Sequence, residues 1–144
     1  MDTSISDGLV GIHWWATLLA ALAYFVLGAI WFTPLFGRQW DRSIGVDRRT
    51  TGGRYPLPYY VVPLVGALVG ALMVAVLIGA CSAEGAIEGL LLGLAVGVAV
   101  AAATLTNALT PHTPKPYLLA AVTGGYHLVG LTGAGAIIGA FATG

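Results

Sequence analysis

Four apolar runs, each long enough to cross a bilayer, constrain this chain more than any other feature. A helix crossing the hydrocarbon core needs ~20 mostly apolar residues. The first run extends from about Ile12 to Thr33, where Pro34 is expected to stop it. The others extend from about Tyr59 to Ala80, Gly85 to Leu109 and Tyr117 to Phe141. In lipid the backbone must satisfy its own polar groups, so runs of this length read as helices. Composition agrees: 58% of the 144 residues are hydrophobic and 8% are charged, too few charges to cover a water-soluble domain. The expected fold class is an all-α integral membrane protein, a single membrane domain over residues 1–144. The turns "CSAE" and "TPHTPKP" are short and force antiparallel neighbours, which predicts four transmembrane helices in an up-down bundle. The N-terminal "MDTSISDGLVGIHWW" carries acids where a signal peptide carries bases, so the first run is expected to be retained.

Charge sets the orientation. Arg38, Arg42, Arg48, Arg49 and Arg54 lie in the loop 34–58, and Lys115 lies in the last turn. Asp2, Asp7, Glu84 and Glu88 mark the opposite side. The positive-inside rule puts both basic loops in the cytoplasm and both termini outside it. Trp14, Trp15, Trp40, Tyr59, Tyr60 and Tyr117 fall near span ends, where amphipathic rings are favoured. A net charge of zero makes no basic field for nucleic acid. The single cysteine, Cys81, excludes an intrachain disulfide. His13, His112 and His127 fall at the outer face, inner face and midplane, so no metal site is expected, and no motif calls for a cofactor. The loop 34–58 reads as an irregular or short amphipathic segment. Either Trp40 and Ile44 lie on headgroups while Arg38 and Arg42 meet phosphates, or the loop is a plain basic stop.

Lipid gives helices no hydrophobic drive to associate, so close backbone approach at small residues must do it. Gly66/Gly70, Gly89/Gly93/Gly97 and Gly135/Gly139 supply such faces. Besides the lipid bilayer, the expected partner is a second copy of the chain, a homo-oligomer held through these glycine-rich faces.

His127 lies about ten residues into the fourth run, hence ~15 Å deep. Its helical face also carries Ala120, Thr123, Gly124, Gly130, Leu131 and Ala134, small residues that suit an interior. Tyr24 reaches the same depth from the opposite end of the first run, on a stripe with Thr17, Gly28 and Trp31. A Tyr24–His127 hydrogen bond is therefore expected, with Thr123 as a further partner. That pair either lines a solute or proton path or only pins one helix to another. Glu88 follows Glu84 by four residues in the first turn of the third run, where the helix dipole favours an acid; turned inward, it gates a path to His127. Asn107 lies on the packing side of the third run at the depth of Trp31, its expected neighbour. The candidates for acid–base work are thus His127, Tyr24 and Glu88. The candidates for binding are Tyr24, Trp31, Asn107, Thr123 and His127.

Two stretches also carry a family likeness. "LGAIWFTPLFGRQW" (27–40) leaves the first run with a Gly–Trp–aromatic–Pro–Phe–Gly–Trp spacing, and "GYHLVGLTGAGAIIGA" (125–140) forms the last run. Together they resemble the small bacterial four-helix membrane proteins called domain of unknown function seventeen sixty-one. The resemblance implies the four-helix fold and a multi-pass place in the bacterial inner (cytoplasmic) membrane. It draws attention to Trp31, Pro34, Gly37, Trp40, Tyr126 and His127, and it implies no activity. The "TPHTPKP" turn departs from the connection expected there, so no role is carried onto it.

Three functions compete. The first is a small homo-oligomeric transporter or channel for a small or lipophilic solute, with His127 and Tyr24 at the midplane. The second is a membrane-embedded acid–base enzyme, of isomerase or cyclase type, on a lipid-soluble substrate. The third is a non-catalytic scaffold or accessory subunit. A tunnel at His127 reaching both faces favours transport, a closed, lipid-open pocket with Glu88 or Tyr24 within ~3 Å of the ring favours chemistry, and a dry, packed ring favours neither.

Overall fold

The computed structural model describes residues 5–142, apart from the side chains at 5, 7 and 8. Asp2 and the Asp7 side chain, part of the acidic end, therefore lie outside the described residues. Six α-helices follow one another: α1 (Ile5–Val10), α2 (Trp14–Ile30), α3 (Gly37–Ile44), α4 (Pro58–Ala80), α5 (Gly85–Ala108) and α6 (Pro116–Phe141). A π-helical turn at Trp31–Leu35 prolongs α2, and a short 3-10 turn occupies Arg48–Thr51.

Four of these helices are long and apolar enough to cross a membrane: Trp14–Leu35, Pro58–Ala80, Gly85–Ala108 and Pro116–Phe141. The chain is a multi-pass membrane protein by that measure. Proline opens both α4 and α6, where a missing N–H has no intrahelical partner to lose.

Pro34 does not stop the first span. The helix widens instead, and Phe36 donates its N–H to Trp31 O at 2.8 Å, five residues back. A wider turn makes room for the proline ring, which a regular turn cannot accommodate. It also leaves the Phe32 carbonyl without its usual donor. Arg48 Nη2 fills that need, donating to Phe32 O at 3.0 Å and to Gly37 O at 3.1 Å. A Cβ at Gly37 would lie 2.8 Å from Phe32 O and 3.0 Å from Arg48 Nη1, so only glycine leaves space for the guanidinium.

The helices share a core unequally. α2, α4 and α6 enclose it with Ala16, Ala20, Ala21 and Tyr24, with Ala67, Ala71, Val74 and Ile78, and with Leu131, Ala134 and Ile138. α5 lies outside this group, packed along α6, touching α4 only slightly. The up-down bundle thus opens into three helices plus one. The cause is glycine. A Cβ at Gly89 or Gly93 would run into the carbonyls of Gly135 and Leu131, and one at Gly135 or Gly139 into those of Gly89 and Gly85. Gly97 meets Leu128 and Gly124 meets Ala101, in the reverse order expected of antiparallel neighbours. The Gly89/Gly93/Gly97 and Gly135/Gly139 faces, expected at a contact between copies, are occupied within the chain, while Gly66 has no neighbour within 4 Å.

Candidate functional site

α2 and α6 run antiparallel and meet at mid-depth through aromatic and polar side chains. Tyr24 Oη and His127 Nδ1 share a hydrogen bond of 2.5 Å, the pairing expected from equal depth on two spans. The Tyr24 ring lies where a Cβ at Gly130 would be, and its edge reaches Gly70 on α4. Glycine on two sides thus gives the phenol its slot. Tyr126, next to the histidine, is buried and donates its hydroxyl to Tyr24 O at 3.3 Å. Its ring centroid lies 5.0 Å from those of Tyr24 and Phe32 and 4.9 Å from that of His127. A hydroxyl in that slot needs a short residue opposite; a Cβ at Gly28 would be 3.0 Å from Tyr126 Oη.

The other binding candidates disperse. Trp31 donates its indole N–H to Val122 O at 2.8 Å, one helix turn from the histidine level, so it fastens α2 to α6. Asn107 is exposed and makes no hydrogen bond among the described residues. The Trp31 indole N–H goes to Val122, and no hydrogen bond joins it to Asn107, since depth along a helix does not fix direction around it. Thr17 donates to His13 O at 3.0 Å and takes no part in the pair. Glu88 is exposed, and its Oε2 accepts the Glu84 N–H at 2.9 Å. Its neighbour Gly89 faces Gly135 and Gly139, which sets Glu88 about 18 Å along the axis from His127. It is a helix-end acid far from the ring.

Thr123 behaves differently from four other threonines of the long helices. Thr17, Thr104, Thr106 and Thr132 each donate to the carbonyl four residues back. Thr123 Oγ1 is buried with no partner, so it does not join the Tyr24–His127 pair. His127 Nε2 likewise has no partner among the described residues.

Two surface clefts stand away from the pair. One, of about 280 Å³, lies at the end of the bundle carrying Glu84 and is lined by His13, Ile78, Ser82, Glu84 and Ile138 among others. The second, of about 180 Å³, lies beside α2 and α4 between Trp14, Thr17 and Leu68. Neither is lined by Tyr24 or His127.

At the basic end stands a cluster the sequence reading did not anticipate. Arg48 forms a two-pronged ion pair with Asp41, at 2.7 Å from Nε and 2.9 Å from Nη2. The Tyr55 hydroxyl donates to Asp41 Oδ1 at 2.8 Å. Burial alone raises a carboxyl, yet the bonds from Arg48 and Tyr55 outweigh it and hold Asp41 below its ordinary range. Burial and the facing carboxylate push the Tyr55 phenol up. The Trp40 ring is half-buried and packs among Phe32, Tyr55 and Tyr59 at 5.8, 5.8 and 6.4 Å. The available signal was one aspartate set among arginines, seven residues before Arg48.

No curated protein and no solved structure matches the chain. A family model does, over residues 15–139, the model described as "Protein of unknown function (DUF1761)". That stretch begins in α2, ends in α6 and takes in Tyr24, the π turn, the Asp41–Arg48 pair and His127. By that match the chain belongs to the DUF1761 family of proteins of unknown function.

Proposed function

We propose that the protein binds and moves a lipophilic solute whose polar group meets the Tyr24–His127 pair near the middle of the bilayer. One observation carries this reading: Tyr24 engages Nδ1 of the imidazole, while Nε2 has no partner among the described residues. An unpaired ring nitrogen in hydrocarbon is costly, and a hydroxyl or carbonyl brought by a solute removes that cost. Tyr24 and His127 both lie on membrane-spanning helices, so in this reading the solute comes through lipid. The basic end, with Arg38, Arg42, Arg54 and Lys115, faces the cytoplasm of a bacterial inner membrane, and both termini face away from it.

A second reading, acid–base catalysis on the same class of molecule, is favoured by the Tyr24 contact. A partner on one ring nitrogen fixes the tautomer and leaves the other nitrogen to exchange protons. Turnover of the solute separates this reading from carriage.

The test follows the ring directly. Protein labelled with 15N-histidine and reconstituted in nanodiscs gives three imidazoles, and His127→Gln assigns the one concerned. Added 1-decanol is expected to shift the His127 nitrogen resonances, and decane is expected to leave them in place. If decanol leaves them in place too, while His127→Gln only lowers the melting temperature, the histidine is a helix pin and the proposal fails.

A further inference from the structure

The face of α6 that carries His127 is closed in one half of the bundle and open in the other. At 100° per residue, Leu131, Ala134 and Ile138 share that face with Ala120, Thr123 and His127. The first three are buried, and Leu131 meets Gly70 of α4. The second three, towards the basic end, are only half-buried. α4 shows the same change at the same level. Its packing face runs through Ala67, Ala71, Val74 and Ile78, all buried, and continues downward as Leu64, Pro63 and Tyr60, all exposed. Every residue from 58 to 66 is exposed. The two helices therefore part below the Gly70–Leu131 contact, leaving a wedge with His127 at its apex. The Trp40–Tyr55–Tyr59 rings and α3, whose Ser43 O accepts the Lys115 N–H at 3.2 Å, stand at its wide end.

From this geometry we infer that the solute enters sideways from the half of the bilayer at the basic end, between α4 and α6, and is a single-chain amphiphile with a neutral oxygen head. The inference rests on the midplane site proposed above and names its route and ligand class. The ends of the wedge define the chemistry. Thr123 Oγ1 and His127 Nε2, both unpartnered, stand one turn apart on α6, ~6 Å along the axis. Side chains at that spacing are neighbours, so one hydroxyl or carbonyl oxygen reaches both after a rotation of the threonine side chain. Residues 58–66 and 120–127 contain no Asp, Glu, Lys or Arg, so a charged head finds no counter-charge there. The exposed side chains on that line, Tyr60, Pro63 and Leu64, suit an alkyl chain.

The experiment uses the full chain in nanodiscs, photolabelled with a diazirine-bearing 1-dodecanol and, in parallel, with the same diazirine on dodecane. Mass spectrometry of the peptides reads the position of attachment. The alcohol is expected to label 58–66 and 120–127 several times more than the alkane does. Thr123→Val, which keeps the shape and removes the hydroxyl, is expected to lower that labelling about fivefold, the size of one lost hydrogen bond. Leu64→Trp, which fills the wedge, is expected to lower it without lowering the melting temperature. If His127→Gln abolishes the labelling while Thr123→Val and Leu64→Trp leave it unchanged, the midplane site stands and the sideways route is overturned. Labelling equal for alcohol and alkane on all four spans overturns both.

Discussion

At the scale of single residues, the site depends on what is missing beside the rings. The Tyr24 ring occupies space that a Cβ on Gly130 would claim, and Gly70 and His127 hold the ring from its other sides. Gly130→Ala is therefore expected to lower stability by about 1–3 kcal/mol through overpacking. Gly133→Ala, three residues on and open to space within 4 Å, should be neutral or slightly stabilising, since alanine is the better helix former. Thermal unfolding in matched detergent compares the two; equal losses would place the Tyr24 ring elsewhere. Tyr24→Phe removes one hydroxyl and leaves Nδ1 of His127 unpaired. Hydrogen bonds inside membranes average about 0.6 kcal/mol, so a small loss of stability is expected with a clear change in the His127 nitrogen spectrum. The pair itself was legible in the sequence because depth is a one-dimensional quantity. Tyr24 and His127 are each about ten residues from opposite ends of antiparallel spans. Asn107 shows the limit of that logic, for it is exposed and depth alone does not give a direction around the helix.

At the scale of elements, the span ends were legible to within two residues, because hydropathy changes abruptly where lipid ends. The exit from the first span was not. A proline reads as a stop when only the local helix is considered. Its continuation here depends on Arg48, fourteen residues further along, supplying N–H groups to carbonyls that the π turn leaves open. Arg48→Met is expected to loosen the π turn and α3 together, with a loss of about 1–3 kcal/mol from unsatisfied groups. Hydrogen exchange of residues 36–44 measures that loosening. The same clamp responds to acid. Asp41 has its folded pKa held below the ordinary 3.8, so its contribution is complete above that value. It is lost as pH falls through the lower, folded value. Exchange in α3, taken relative to the intrinsic amide rate at each pH, should therefore be flat from neutral pH down to about 4 and rise below it. In Asp41→Asn the acid-dependent rise should vanish.

At the scale of the whole molecule, the uneven sharing of the core separates two tasks. α2 and α6 supply the Tyr24–His127 hydrogen bond, and Gly70 of α4 and Gly130 of α6 seat the Tyr24 ring. α5 is held by backbone proximity to α6 at Gly89, Gly93, Gly135 and Gly139, where contact is van der Waals and steeply dependent on distance. A substitution there acts differently from one at Gly130. Gly93→Leu puts a side chain where the Leu131 carbonyl now lies, so α5 must move away along much of its length. The loss should exceed the 1–3 kcal/mol of an ordinary overpacked core site, since backbone cannot yield as a side chain can. Yet the Tyr24 ring is seated between Gly70 and Gly130, and its hydrogen bond to His127 joins α2 to α6 outside that seam. Two readouts on one variant decide the matter. Amide exchange in residues 86–108 should rise sharply, while the His127 nitrogen resonances should stay near their original positions. Movement of both together would mean that the three-helix core does not stand without α5, and that the glycine seam is part of the site.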